Sequence, residues 1–394
     1  MRLKLTLLAF VLLLFSCSSP EQPNSDLIRH CTDQLKYALK VSSSVRDSVF
    51  VSPRTIDDSK LRMVKSRDWT SGFFPGNLWM MVELTGDTSW QSVATEYTLP
   101  LEKEQWNAGT HDMGFKMFCS FGKAYNATGN PAYKSILVQS AKTLATRFNA
   151  NVGCIRSWDH NADKWDFPVI IDNMMNLELL MWAAKETGDE HLKDIAVTHA
   201  QTTMKNHFRS DNSSYHVVDY NPETGEVEHK QTHQGYSDES SWARGQAWGL
   251  YGYTMMYRET GLKEFLDQAE KIASFILSQP GIEEGNVPYW DFNAPDIPNA
   301  PYDASAGAII TSALYELSQY SEHKEHYLQV ADRMFSKLSS PEFLAPIGEN
   351  MGFLLEHSTG HLPGNSEIDV PLVYADYYFL ESIVRKRNLD EQRQ

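Results

Sequence analysis

Six times along this 394-residue chain, a run of apolar and small residues opens behind a small or acidic polar residue, at 70–84, 112–125, 172–185, 238–257, 303–317 and 369–383. From Asp112 onward the openers Asp172, Asp238, Asp303 and Asp369 follow at intervals of 60, 66, 65 and 66 residues. A period of that length marks a repeated supersecondary unit. Each run is apolar nearly all round, as a buried helix is. Four of them end in a turn signal: Thr85-Gly86-Asp87, Thr128-Gly129-Asn130, Thr187-Gly188-Asp189 and Thr260-Gly261. Glycine there suits the left-handed residue that closes a helix. Beyond the turns, at 133–148, 191–208, 263–277 and 324–338, apolar residues recur at three and four spacing with charges on the other side, the pattern of an exposed amphipathic helix. Six buried helices, each followed by an exposed one, predict an all-α fold: an (α/α)6 barrel of six helical hairpins, forming a single domain over residues 26–394. Inner helices of such a ring run parallel, so the polar openers converge at one mouth.

The N-terminus sets the expected location. Arg2 and Lys4 precede an apolar run, 5–15, that is short for a membrane span and ends at Ser16-Cys17. This reads as a bacterial lipoprotein signal over 1–16, with Cys17 lipidated and 17–25 a polar tether. The expectation is an envelope lipoprotein facing the periplasm, joined to the membrane only through that anchor. With Cys17 used, Cys31, Cys119 and Cys154 remain, an odd set without metal-ligand spacing. No His and Asp grouping has convincing ligand spacing either, so neither metal nor cofactor is expected. A formal net charge of −16 argues against nucleic-acid partners and adsorption to anionic lipid. It also means that an anionic ligand needs a local positive patch, which gives any Arg in the site unusual weight.

Such an Arg sits in the densest polar and aromatic stretch, Thr232-His233-Gln234-Gly235-Tyr236-Ser237-Asp238-Glu239-Ser240-Ser241-Trp242-Ala243-Arg244-Gly245-Gln246-Ala247-Trp248. Flat aromatics, a fixed cation and amide or imidazole donors at a helix start are what grips a sugar ring bearing a carboxylate. Arg244 and Trp248 share a helix face, as do Trp242 and Gln246. An Arg amid Ala, Gly and Trp needs an anion, and either Asp238 or a substrate carboxylate can supply it. Trp242 equally suits the core, and each opening Asp equally suits a helix N-cap. Asp112, in His111-Asp112-Met113-Gly114-Phe115, and Asp172, in Ile170-Ile171-Asp172-Asn173-Met174-Met175-Asn176, lie among apolar and amide neighbours. Desolvation there would raise a carboxyl pKa and keep a usable acid.

The motifs around Asp112 and Asp172 and the stretch from His233 to Trp248 resemble the unsaturated glucuronyl hydrolases, glycoside hydrolase family 88. The resemblance runs from about Trp69 to Tyr374-Ala375-Asp376-Tyr377-Tyr378-Phe379. It implies removal of a 4,5-unsaturated uronic acid from the non-reducing end of glycosaminoglycan-lyase products, di- or oligosaccharides of chondroitin, hyaluronan or heparan type, by hydration of the double bond. It implies Asp172 as general acid and base and Asp112 as the second essential carboxylate, sometimes labelled a nucleophile; because hydration needs no glycosyl-enzyme intermediate, orientation of the sugar hydroxyls and tuning of Asp172 is the favoured role. It also puts Thr232, Gln234, Arg244 and Trp248 in substrate binding, with His216 and Trp69 contributing from other repeats; taken alone, His216 reads equally as a satisfied structural histidine. Lys230 is a candidate for facing the aglycone. Some members receive a sulfate on a C-terminal loop rich in Ser with a Lys. Here that loop, 356–367, has no Lys and offers Ser358 and His361 as donors.

Other readings are an unsaturated rhamnogalacturonyl hydrolase of family 105, a sugar epimerase on the same barrel, and a non-catalytic oligosaccharide-binding lipoprotein. The His233 to Trp248 motif favours family 88 over the first. A catalytic histidine pair is not identifiable for the second. The third has no use for two sequestered carboxylates.

Overall fold

The computed structural model describes residues 25–393. The leader, Cys17 and the tether up to residue 24 lie outside them; residue 25 already begins a helix.

Six inner elements close a ring. In order they are Phe73–Thr85; Gly114–Gly122 continuing into Lys123–Thr128; Ile171–Asn176 continuing into Leu177–Thr187; Ala243–Thr260; Ala304–Leu317; and Val373–Gln392. The last packs on the first, which closes the barrel. The helices Ala243–Thr260 and Ala304–Leu317 are buried almost throughout, which explains why their sequences lack a polar face. Outer helices Ser89–Thr98, Pro131–Ala145, Glu190–Asn206, Lys263–Leu277 and Lys324–Leu338 follow the first five inner ones. At the turns, Gly86, Gly129, Gly188 and Gly261 all adopt left-handed φ, between 65° and 73°, as the turn signals predict.

The ring is the expected (α/α)6 barrel, and three details differ from the expectation. Among the described residues no outer helix follows the sixth inner one. That place is taken from the other end of the chain by Ser25–Ser43, which buries Ile28, Cys31, Leu35 and Ala38. It is fixed to the segment after the fifth hairpin by Gln34 Nε2, which donates to Phe353 O at 2.9 Å. Second, strands decorate the mouth. A hairpin, Phe50–Asp57 with Lys60–Lys65, and a three-stranded antiparallel sheet of Pro168–Ile170, Val217–Tyr220 and Val227–Gln231 stand there. Third, among the acidic openers only Asp303 caps its helix through its side chain, accepting Ser305 N–H at 3.1 Å. Asp238 instead accepts Thr232 N–H at 2.8 Å, and Asp369 pairs with His357 at 2.6 Å.

Cys31, Cys119 and Cys154 are buried free thiols. Among the described residues no helix is long and apolar enough to cross a membrane.

Candidate active site

The inner-helix starts surround a cavity of about 330 Å³ at the mouth. Among its buried lining groups is Asp172. The strand Pro168–Ile170 ends against Val217–Tyr220, Ile171 N–H donates to His216 O at 3.0 Å, and the next turn, wound as a 3-10 helix over Ile171–Asn176, tips Asp172 into the cavity. The carboxyl is 8% exposed, and Oδ2 has no hydrogen-bond partner in the protein. Burial raises its pKa from 3.8 to about 7; the Arg244 charge opposes that rise, Asp112 adds to it, and the nearby Trp248 indole N–H, short of a formed hydrogen bond, opposes it slightly.

His216 stands against Asp172. Its Nδ1 accepts the backbone N–H groups of His233 and Gln234 at 3.0 and 3.1 Å, so the neutral ring carries its proton on Nε2. Burial, reinforced by His233 and Arg244, holds its pKa well below the ordinary value and keeps it neutral. Nε2–H then faces Asp172 Oδ2 at 3.7 Å, beyond hydrogen-bond range, and has no other partner. A donor and an acid are both left unsatisfied at the bottom of one polar hollow, where an unmade hydrogen bond costs ~1–3 kcal/mol.

Asp112 is more open than Asp172. Thr110 Oγ1 donates to its Oδ2 at 2.7 Å and His111 Nε2 lies 3.1 Å from its Oδ1. Burial lowers the His111 pKa, so this ring stands beside the carboxylate in its neutral form, and the hydrogen bond that orients Asp112 is the one from Thr110. The element that follows, Gly114–Gly122, is wound as a π-helix, an irregularity common near functional sites. Asn176 joins the two acidic hairpins: its Oδ1 accepts Phe115 N–H at 3.1 Å.

Arg244, 1% exposed, lines the cavity, but its anion is neither Asp238 nor left for a ligand to provide. Nη1 binds Asp303 Oδ2 at 2.5 Å and Thr359 O at 2.7 Å, and Nη2 binds Gly360 O at 2.5 Å. Asp303 therefore caps one inner helix and neutralises the cation of the preceding one. Gln234 Nε2 reaches the same Gly360 carbonyl at 3.0 Å, and His361 Nε2 bonds His233 O at 2.9 Å. These contacts latch the 357–367 loop over the site.

The candidate residues divide by place. Asp112, Asp172, Gln234, Arg244, Trp69 and His361 line the cavity, with His216 Nε2 directed at Asp172. Trp248 and Trp242 do not line it. Trp248 is fully buried between Phe115 and Tyr378, with ring centroids 5.2 and 5.4 Å away, and only its indole N–H approaches Asp172. Trp242 backs His216 at 4.6 Å and carries the Arg244 guanidinium at 4.6 Å. Thr232 is also off the cavity, because its hydroxyl accepts Gly235 N–H at 2.8 Å to shape the loop. Lys230 lies over the Tyr215 ring at 5.1 Å on the edge strand, away from the cavity, and Ser358 is buried outside the lining. The motif is thus partly grip and partly scaffold.

Several wall residues were not among the site candidates read from the sequence: Arg54, Trp158, His160, Glu367 and Tyr374. Arg54 binds Glu367 through Nε and Nη2 at 2.5 and 2.9 Å and Asp68 Oδ2 through Nη1 at 3.1 Å. For Trp158 a signal does exist in Ser157-Trp158-Asp159-His160, an aromatic in a polar loop.

Known proteins resemble this chain in sequence and fold. The unsaturated glucuronyl hydrolase of Formosa agariphila is 53% identical over 327 residues, 83% of this chain and 82% of that protein. The unsaturated chondroitin disaccharide hydrolase of Streptococcus agalactiae is 31% identical over 335 residues, 82% of each. A crystal structure of an unsaturated glucuronyl hydrolase specific for heparin superposes with a TM-score of 0.89 at 46% identity, covering 94% of this chain and 99% of that one. The model of Glycosyl Hydrolase Family 88 matches residues 42–343, and with these relatives it shows that the chain belongs to that family of glycosidases.

Proposed function

We propose that this chain releases a 4,5-unsaturated uronic acid from the non-reducing end of glycosaminoglycan-lyase products by hydrating the C4–C5 double bond. The observation that carries the reading is the buried Asp172 carboxyl, titrating near neutrality with one oxygen left without a protein partner beside a neutral imidazole donor. In its acid form Asp172 gives a proton to C4 of the enol ether, and positive charge develops across C5 and the ring oxygen. Water adds at C5 and returns its proton to Asp172, so the carboxyl ends as it began. The C5 hemiketal opens, and the aglycone then leaves from C1. A carboxyl whose two forms are nearly equal in energy at working pH suits both proton transfers. No glycosyl-enzyme intermediate is needed, so the carboxylate separation that sorts ordinary glycosidases has no bearing here.

Asp112, steadied by Thr110, orients the sugar hydroxyls. His216 Nε2–H and the Gln234 amide donate to the sugar, and Trp69 offers a stacking face. Arg244 supplies positive potential at close range despite its pairing with Asp303. A hollow of about 330 Å³ is at the small end of ligand pockets, ~300–1,000 Å³, and suits a terminal sugar better than a chain interior. Relatives named for heparin and chondroitin support a glycosaminoglycan source.

The test follows ultraviolet absorbance of the conjugated double bond across unsaturated disaccharides from chondroitin, hyaluronan, heparin and pectin lyases. Loss of absorbance on the glycosaminoglycan products is expected. Unchanged absorbance on the whole panel defeats the enzyme reading, and loss on pectin products alone moves the substrate to rhamnogalacturonan.

We further propose attachment to the bacterial envelope through Cys17, with the domain facing the periplasm. The basic, apolar and cysteine order of the leader supports it. Expression of Cys17→Ser should move the protein from the membrane fraction to the soluble one; equal partitioning of both forms rejects the anchor.

A further inference from the structure

Beside the catalytic cavity lies a second, more open hollow of about 680 Å³. The two share Gly109, Thr110 and His160, so a chain leaving the cavity on that side enters the hollow. Its wall includes the strand Lys60–Lys65 and the turn beyond it, which bring Arg62, Lys65 and Arg67 to one surface. On a chain of net charge −16, three neighbouring cations in one hollow are a departure from the general field.

The local carboxylates do not cancel them. Asp68 holds Arg54 Nη1 with both oxygens, at 3.2 and 3.1 Å, and its Oδ1 also accepts from Thr70 N–H and Oγ1, while Asp159 is held by the two Nη atoms of Arg147 at 2.9 Å each. Among the described residues neither Lys65 nor Arg67 has a carboxylate within 4.0 Å, and Arg62 has only a 3.8 Å approach to Glu367. Phe50, 42% exposed, flanks the hollow, with the Lys65 ammonium 5.7 Å from its ring centroid. Asn107 adds an amide to the lining. A flat apolar face beside unpaired cations and an amide is the set of contacts that a pyranose with anionic substituents requires.

We propose that this hollow is an extended subsite for the sugars of a longer anionic oligosaccharide beyond its first aglycone residue, held through sulfate or carboxylate groups by Arg62, Lys65 and Arg67. The proposal rests on the functional reading above for its direction, with the terminal uronate in the cavity and the reducing end outward. It makes the enzyme's preference depend on chain length and charge. Exposed charge pairs of this kind are screened over a Debye length of ~10 Å at 0.1 M salt, so the preference weakens as salt is added.

The test uses Lys65→Glu/Arg67→Glu in the full chain and a sulfated unsaturated tetrasaccharide made by a heparin lyase. The quantity read is the ratio of kcat/KM for the tetrasaccharide to that for the corresponding disaccharide. We expect it to fall by about tenfold, as for two screened attractions turned into repulsions. An unchanged ratio overturns the proposal, as does an equal fall for both substrates. A second measurement separates the subsite from the chemistry: calorimetric titration of the tetrasaccharide onto Asp172→Asn with and without the two reversals. About tenfold weaker binding with the reversals is expected. Equal affinities overturn the subsite whether or not the unaltered chain turns the substrate over.

Discussion

A carboxyl that gives up a proton in one step and recovers it in the next works best when neither form is strongly favoured. Asp172 reaches that condition because burial outweighs the attraction of Arg244. With the acid form of Asp172 proposed to start the reaction, kcat/KM should decline on the alkaline side with an apparent pKa near 7. Asp172→Asn should lower kcat by ~10²–10⁴-fold, the usual worth of a general acid and base, while leaving substrate affinity nearly intact. Stability responds in a defined direction. A carboxyl with its folded pKa raised from 3.8 to about 7 contributes stability that is full below 3.8 and is lost as pH rises through 7. Asp172→Asn should therefore melt at an increasingly higher temperature than the parent as pH is raised from 4 to 8. Asp376 titrates in the same window, but it is common to both proteins and drops out of the difference. Parallel melting curves against pH would show that Asp172 is not the shifted group. This site acid was legible because apolar and amide neighbours surround it in the sequence. The neutrality of His216 was not, since the two N–H groups that fix its tautomer come from residues 233 and 234.

At the scale of elements, the two acids keep their relation because the second and third inner elements nearly touch. A Cβ added at Gly114 would come within 2.7 Å of Asn176 Cα and 2.9 Å of its Oδ1, the oxygen that accepts Phe115 N–H. Gly114→Ala must push these elements apart. The expected cost is about 1–3 kcal/mol of stability, with at least a tenfold fall in kcat/KM as Asp112 and Asp172 lose register; thermal melting and steady-state kinetics read the two effects. Full activity in the variant would show that the Asn176 link does not set the site. The closing glycines and the starts of the outer helices at Lys263 and Lys324 could be read from the sequence because turn chemistry and helical periodicity are local signals. The mouth strands were missed for the same reason. Pro168–Ile170 is three residues long, too short for alternation to show.

For the whole molecule, the repeat conveyed the ring but not how it closes. The outer helix that the sixth hairpin lacks is supplied from the opposite end of the chain, where no period points to it. Likewise Arg54 and Glu367 meet across 313 residues, and Arg244 finds Asp303 in the next repeat, so cavity walls assembled by ring closure carry no local signature. What the ring achieves is to gather polar starts from several repeats around one buried acid. The chemistry proposed for that acid is addition of water to the double bond, with the anomeric bond breaking only afterwards. An unsaturated glucuronyl C-glycoside, with carbon in place of the glycosidic oxygen, tests it directly, because its anomeric bond cannot be hydrolysed. The enzyme should still remove the ultraviolet absorbance of this compound, and Asp172→Asn should not. Absorbance that persists while the ordinary O-glycoside is consumed would contradict hydration as the first step.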